Sequence, residues 1–215
     1  MIEELVPDSM HVAERCSDAT GEQLYPDELA HIRNAVAKRR DEFTTVRHCA
    51  RVALRSLGLD RPSMVPGRAG APPWPEGVIG SMTHCAGYRA AAVATRTTAA
   101  SIGIDAEPNE PLPDGVLRMI ARPAELRNLR ALGAVDQEVC WDRLLFSAKE
   151  SVYKAWYPLA SRWLGFEDVD VHIRSGGTFE ARLLVPGPSV AGRPLTHFSG
   201  RWRAVGRLLA VVVTA

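Results

Sequence analysis

Asp105 and Glu107 stand two residues apart in the run Ser101-Ile102-Gly103-Ile104-Asp105-Ala106-Glu107-Pro108. Side chains of an extended chain alternate between faces. Ile102 and Ile104 therefore point one way and the two carboxylates the other, at a strand end that Pro108 terminates. Like charges this close repel. Either water solvates the strand end, or a cation offsets the repulsion, and hard oxygen donors suit magnesium.

A third acid, Glu150, lies in Phe146-Ser147-Ala148-Lys149-Glu150-Ser151-Val152-Tyr153-Lys154-Ala155-Trp156. Glu150 and Lys154 are four apart on a helix, which taken alone describes a surface ion pair worth about 0.2–0.5 kcal/mol. The aromatics Phe146, Tyr153, Trp156 and Tyr157 flank the segment on several sides, however, and a helix apolar around most of its circumference is largely buried. Charges in such a setting have a job or a partner. If Glu150 joined Asp105 and Glu107, three carboxylates would surround one magnesium, with lysines facing the phosphates that such a metal binds. The protein has only three lysines, Lys38, Lys149 and Lys154, and two of them fall in this segment.

Three further stretches carry polar chemistry. In Gly80-Ser81-Met82-Thr83-His84-Cys85-Ala86-Gly87, small and hydroxyl residues after a short strand can expose N–H groups to an anion, with His84 donating to a phosphate; the plainer alternative is a turn with a packed histidine. Arg47, Arg51 and Arg55 step by four and form one row on a helix, with Arg39 and Arg40 near its start. Such a row is ordinarily a solvated face, although the guanidinium fork suits phosphate monoesters. No aromatics interleave it, which argues against nucleic-acid binding. Gly70-Ala71-Pro72-Pro73-Trp74-Pro75 reads as a stiff loop pinned by Trp74, or as a wall for an extended ligand.

The elements that must position these residues follow from periodicity. Pro26-Asp27-Glu28 resembles a helix first turn. A stronger helix spans about 38–57, where Phe43, Val46, Ala50, Ala53, Leu54 and Leu57 make one apolar stripe closed by Gly58. Residues 60–77 are loop. Strands at 88–95 and 101–105 form a hairpin through Arg96-Thr97-Thr98 in this reading. Pro108, Pro111 and Pro113 then mark a boundary between an N-terminal lobe, 1–108, and a C-terminal lobe, 109–215. Short helices are expected at 114–121 and 123–132, the latter closed by Gly133. The longest helix is expected at about 136–157, with Asp136 as N-cap and Trp141, Leu144, Leu145, Ala148, Val152 and Ala155 as its apolar stripe. Strands at 169–173, 179–185, 197–205 and 207–214 follow, turning at Gly176-Gly177 and Gly206. Each half is thus a long helix followed by antiparallel strands, an α+β fold of two pseudo-symmetric lobes.

Composition bounds the rest. The 215 residues are 46% hydrophobic and 24% charged, which fits a globular protein rather than a disordered one. No apolar run approaches the roughly 20 residues that span a bilayer, and the acidic start is not expected to be a signal peptide. A net charge of +1 gives no whole-protein field toward nucleic acid or anionic lipid. Cys16, Cys49, Cys85 and Cys140 include no Cys-x-x-Cys pair and read as reduced thiols of a cytoplasmic protein.

The combination resembles the Sfp-type 4′-phosphopantetheinyl transferases, especially the short actinobacterial and enterobactin-synthase-associated branch. The matching pieces are Arg39-x-x-Glu42-Phe43-x-x-x-Arg47-x-Cys49-Ala50-Arg51, Gly70-Ala71-Pro72-x-Trp74-Pro75, Gly80-Ser81-x-Thr83-His84, Gly103-Ile104-Asp105-Ala106-Glu107, Trp141-Asp142-x-x-x-Phe146-Ser147-x-Lys149-Glu150-x-x-x-Lys154 and Arg162-Trp163-Leu164-Gly165-Phe166-Glu167-Asp168. They run in family order from about residue 38 to 168.

The resemblance implies transfer of the phosphopantetheine arm of coenzyme A to a serine of an acyl or peptidyl carrier protein, with release of 3′,5′-ADP. It implies a monomer whose N-terminal lobe binds the nucleotide and supplies the first metal ligands, and whose C-terminal lobe carries the catalytic helix and the carrier-docking surface. In these terms Asp105, Glu107 and Glu150 hold magnesium, for which manganese can substitute. Glu150 is also the base for the incoming serine, Lys154 serves the leaving phosphate and Lys149 steadies the pyrophosphate. Arg39, Arg47 and His84 hold the 3′-phosphate and nucleotide, with Ser81 and Thr83 presenting the adjoining loop. An exposed-looking helix around Val116, Leu117 and Met119 is the expected carrier-docking surface.

The sequence departs from the family pattern in two places. Ala106 cannot be a ligand, and Pro66-Gly67 occupy a stretch where a basic residue is common, leaving Arg68 as the nearest cation. The competing expectations are a non-catalytic carrier-binding module of the same fold and a magnesium-dependent enzyme acting on another nucleotide phosphate.

Overall fold

The structure, a computed structural model, describes residues 1–60 and 62–215. The chain runs β1 (His11–Arg15), α1 (Pro26–Ile32), α2 (Ala37–Ser56), β2 (Val78–Cys85), β3 (Tyr88–Thr95) and β4 (Ile102–Pro108). It continues with α3 (Val116–Ile120), α4 (Pro123–Gly133), α5 (Trp141–Ala160), β5 (Val169–Arg174), β6 (Thr178–Leu183), the short β7 (Ser189–Val190) and β8 (Arg193–Pro194), β9 (His197–Val205) and β10 (Leu208–Thr214). This is the expected α+β arrangement of long helices and antiparallel strands.

The strands form a three-stranded antiparallel sheet in the order β1-β3-β2 and a five-stranded antiparallel sheet in the order β4-β10-β9-β6-β5. Alternation along β10 shows how the layers stack. Leu209, Val211 and Val213 enter the core under α5, with Leu145, Val152 and Trp156. Ala210 and Val212 point the other way and share a core with Ile102, Ile104 and Ala106 of β4 and Ala90, Ala92 and Ala94 of β3, capped by Ile2 and Leu5. The opposite face of β3, through Ala91 and Val93, receives Cys49, Ala50 and Leu54 of α2. Burial of each large apolar side chain contributes roughly 1.5–3 kcal/mol.

Two expectations are corrected. Tyr88–Thr95 does not form a hairpin with the strand that follows it; β3 turns back on β2 through Ala86-Gly87, and β4 pairs with β10 in the register Asp105↔Val211. The Asp-bearing strand, whose other face buries Ile102, Ile104 and Ala106, instead joins the five-stranded sheet as its edge strand, paired with a strand a hundred residues away rather than with its neighbour. Asp136 does not cap the long helix either. α5 begins at Trp141, and the Asp136 carbonyl instead accepts the Trp141 indole N–H at 2.8 Å. The helix also runs on through Pro158 to Ala160, three residues past the expected end.

The two sheets meet along β2 and β4. At this seam the Ile104 N–H donates to Ser81 Oγ and the Ala106 N–H to Thr83 Oγ1, both at 3.0 Å. Side-chain hydroxyls thus take the place of carbonyl acceptors, so the first sheet is joined to the second without a continuous backbone ladder.

Candidate active site

The odd-numbered face of β4 lies against α5, and Gly103 sets the approach. A Cβ on Gly103 would come within 1.9 Å of the Ser151 carbonyl oxygen and 2.8 Å of the Ala155 nitrogen. With only hydrogen there, Asp105 and Glu107 are delivered directly to the polar face of the helix. Ser147 Oγ donates to Asp105 Oδ2 at 2.8 Å, and Lys154 Nζ donates to Asp105 Oδ1 at 2.7 Å and to the Ile104 carbonyl at 3.0 Å. Thr83 Oγ1 adds a donor to Asp105 Oδ1 at 3.2 Å. Glu107 Oε2 accepts from Arg143 of the same helix at 3.1 Å.

Lys154 therefore spans to Asp105 on the strand; the simple surface pair with Glu150 four residues earlier is not what its ammonium makes. Burial pushes the Glu150 carboxyl above the usual carboxylate range, the Lys154 charge opposes this, and the Asp105 charge adds to it. Glu107 is likewise raised by burial and then by Asp105, against the pull of Arg143. The neighbourhood holds three carboxylates against two cations.

The donor chemistry of these acids fits a hard divalent cation, which would relieve the repulsion that raises Glu107 and Glu150. Among the described residues, no group of three His, Cys, Asp or Glu side chains is closed into a metal cage; Lys154 and Arg143 occupy oxygens of Asp105 and Glu107 instead.

Glu150 and Lys154 line one side of a cleft of about 930 Å³. Arg39, Arg47, Ser81 and His84 also line it, while Pro72, Trp74, Tyr153 and Tyr157 supply apolar wall. Asp105, Glu107 and Thr83 are not part of that lining. Trp74 is seated on Gly80, where a Cβ would lie 2.6 Å from its ring, and this holds the proline-rich loop against β2. Pro66 and Gly67 form wall, whereas the exposed Arg68 does not reach the cleft.

At the arginine end, Arg39 meets His84 Nε2 at 2.6 Å. A guanidinium can only donate, so Nε2 accepts and the ring proton sits on Nδ1, which faces Glu42 Oε2 at 3.6 Å. Burial, and then the Arg39 charge, hold His84 below the usual histidine range. His84 is thus a neutral ring that orients Arg39, and its Nε2 is not a free phosphate donor.

Arg47 and Arg51 are buried, unlike the solvated row expected of them; Arg55 alone of the three is exposed. Arg47 stacks 3.1 Å over the Phe43 ring, donates from Nε to the Met64 carbonyl at 2.9 Å, and is brought down to about 10 by burial. Arg51 pairs with Glu28 at 2.5 Å, and Glu28 also accepts the Met64 N–H at 2.7 Å. Glu28 in α1 thereby ties helix α2 to the loop that walls the cleft.

Lys149 is not brought to the acids. Its side chain is 1% exposed on the far side of α5, paired with Glu125 at 2.9 Å and donating to the carbonyls of Ile120 and Phe166, both at 2.7 Å. Adjacent helix positions point about 100° apart, so Lys149 and Glu150 serve different faces. Lys149 joins α5 to α3, α4 and the turn before β5, which replaces its expected role at the pyrophosphate. Ser81 and Thr83 likewise spend their hydroxyls at the β2–β4 seam.

Ser147 and Arg143 were not singled out from sequence. The signal was available for Ser147, which stands seven residues before Lys154 and so shares its helix face. Two polar atoms beside the cleft, Ser101 Oγ and Tyr153 OH, are buried with no hydrogen-bond partner among the described residues.

Comparison with known proteins bears on this geometry. Residues 27–94 match the 4′-phosphopantetheinyl transferase N-terminal domain family, and residues 101–202 match the 4′-phosphopantetheinyl transferase superfamily. The chain is 58% identical over 193 residues to the 4′-phosphopantetheinyl transferase Svp of Streptomyces mobaraensis, covering 89% of this chain and 78% of that protein. It is 47% identical over 208 residues to the 4′-phosphopantetheinyl transferase PptT of Mycobacterium tuberculosis, covering 94% and 90%. The 4′-phosphopantetheinyl transferase Npt of Nocardia iowensis is 45% identical over 225 aligned positions that cover both chains completely. With both halves matched and relatives this similar over nearly its whole length, the chain belongs to the 4′-phosphopantetheinyl transferase superfamily.

Proposed function

We propose that this enzyme transfers 4′-phosphopantetheine from coenzyme A to a serine of an acyl or peptidyl carrier protein, releasing 3′,5′-ADP. The observation that carries this reading is the cleft itself, which the phosphate-suited Arg39 and Arg47 line together with Glu150 and Lys154. The serine oxygen attacks the phosphorus bonded to pantetheine, the bridging P–O bond breaks, and the nucleotide leaves with the electron pair.

In this reading Arg39, oriented by His84, and Arg47, held by Met64 and Phe43, take the 3′-phosphate. Both are held in place by fixed partners, so little side-chain entropy is lost on binding. Asp105, Glu107 and Glu150 would hold magnesium or manganese, which supplies charge neutralisation on the pyrophosphate. Glu150 takes the serine proton, directly or through water. Lys154 meets the charge that develops on the leaving phosphate.

The two lobes divide the work in this reading. Residues 1–108 bind the nucleotide and supply Asp105 and Glu107, while 109–215 supply α5 and the docking surface for the carrier. Leu117 packs against the core under α5, so Met119, 75% exposed on α3, is the apolar contact offered outward. The protein works as a monomer in the cytoplasm, and neither nucleic acid nor membrane is a partner. Among the described residues no helix is long and apolar enough to cross a membrane.

The test is mass spectrometry of an apo carrier protein incubated with this protein, coenzyme A and magnesium. A gain of one phosphopantetheine on a serine is expected. An unmodified carrier, with a known transferase active on the same sample, would overturn the reading.

A further inference from the structure

Both acids of β4 are already matched with cations, and both cations come from α5. Asp105 pairs with Lys154 at 2.7 Å, and Glu107 pairs with Arg143 at 3.1 Å. The two cations are held differently. Lys154 has one ammonium at the end of a flexible stem, shared between Asp105 and the Ile104 carbonyl. Arg143 is fixed at three points, because its Nε also donates to the Glu110 carbonyl at 3.0 Å and its second terminal nitrogen to the Pro111 carbonyl at 2.9 Å. Those two carbonyls would hold the guanidinium in place even if Glu107 turned away. Its side chain is only 18% exposed, so water screens the charge poorly.

The charge count gives this fixed cation a consequence. Asp105, Glu107 and Glu150 carry three negative charges, and Lys154 and Arg143 return two. A divalent ion would therefore leave the neighbourhood at about +1, which is less favourable than a neutral site unless an anion arrives with it. Without Arg143, the ion would leave the site near neutral, and it could bind by itself.

We propose that Arg143 is a resident counter-ion that holds down divalent-metal affinity in the substrate-free enzyme and so couples metal binding to the diphosphate of the nucleotide substrate. This rests on the reading of Asp105, Glu107 and Glu150 as metal ligands. By linkage, the diphosphate raises metal affinity by the same factor as the metal raises diphosphate affinity. Arg143 is a positioning and charge-setting residue, not one that touches the reacting atoms.

The test measures Mn²⁺ binding to the full-length protein by electron paramagnetic resonance, with and without coenzyme A, and with no carrier present so that no turnover occurs. Arg143→Gln is expected to tighten Mn²⁺ binding to the substrate-free protein by about tenfold and to shrink the enhancement that coenzyme A gives. Arg143→Lys, which restores the charge, is expected to return Mn²⁺ affinity to within about threefold of wild type; if the glutamine variant does not fold, Arg143→Met, which also removes the charge, takes its place with the same expectation. Weaker or unchanged Mn²⁺ binding in Arg143→Gln would overturn the proposal, since a merely structural tie would loosen Glu107 and weaken the site. Mn²⁺ binding that Arg143→Lys alters as much as Arg143→Gln would overturn it too. Failure of the underlying metal reading looks different: wild-type protein would bind no Mn²⁺ even with coenzyme A.

Discussion

Gly103 of β4 lies so close to Ser151 of α5 that one methyl group on it would sit 1.9 Å from the Ser151 carbonyl oxygen. This contact is between backbones, so no side-chain rotation can relieve it. Gly103→Ala is expected to destabilise the protein by about 3 kcal/mol or more and to abolish transfer, because strand and helix must separate and carry Asp105 away from Ser147 and Lys154. Urea unfolding followed by circular dichroism measures the first effect and carrier modification the second.

Lys149 predicts a change in stability. Lys149→Met leaves Glu125 buried without its cation, at a cost of about 3–5 kcal/mol. Neutralising Glu125 as well, in Lys149→Met with Glu125→Gln, is expected to recover most of that loss. A urea-denaturation double-mutant cycle reads the coupling; additive losses would mean that the pair does not interact as its 2.9 Å separation indicates.

These two positions also show what the sequence could and could not disclose. Helices α2 and α5 were legible because their apolar stripes are local patterns, and the shared face of Asp105 and Glu107 followed from strand alternation alone. The partner of β4 was not legible: its hydrogen bonds go to β10, a hundred residues on, and nothing near Thr97 distinguishes a tight hairpin from a crossing. Lys149 and Lys154 look equally catalytic in a string of letters. Their roles separate only because Glu125 waits on one side of α5 and Asp105 on the other. Glu28 reads as an ordinary first-turn acid until Arg51, 23 residues later, folds back onto it.

Acid pH acts through Glu107 and Glu150, both held above the usual glutamate value of 4.5 by burial. In the metal-free protein the folded state binds these protons more tightly than the unfolded chain does. Their contribution to stability is therefore greatest below 4.5 and is lost as pH rises through the raised folded values. Transfer activity runs the opposite way, falling on acidification as the carboxylates that would hold the metal and take the serine proton become protonated. Denaturant unfolding across the acid range should show a shallower loss of stability toward neutrality in Glu107→Gln than in wild type. The pH profile of carrier modification checks the activity limb.

Met119 projects from a five-residue helix with three-quarters of its surface in solvent. Met119→Glu is expected to raise the KM for carrier protein about tenfold while leaving the KM for coenzyme A unchanged, because it lies outside the cleft. Steady-state kinetics with each substrate varied in turn separates the two constants.

The claim on which everything turns is that β4 and α5 bring their acids to one reaction. Carrier modification by Glu107→Ala in saturating magnesium, with thermal unfolding monitored on the same sample, tests it most directly. The expected result is no detectable phosphopantetheine transfer from a protein that still unfolds cooperatively near the wild-type temperature. Substantial transfer by that folded variant would contradict the account.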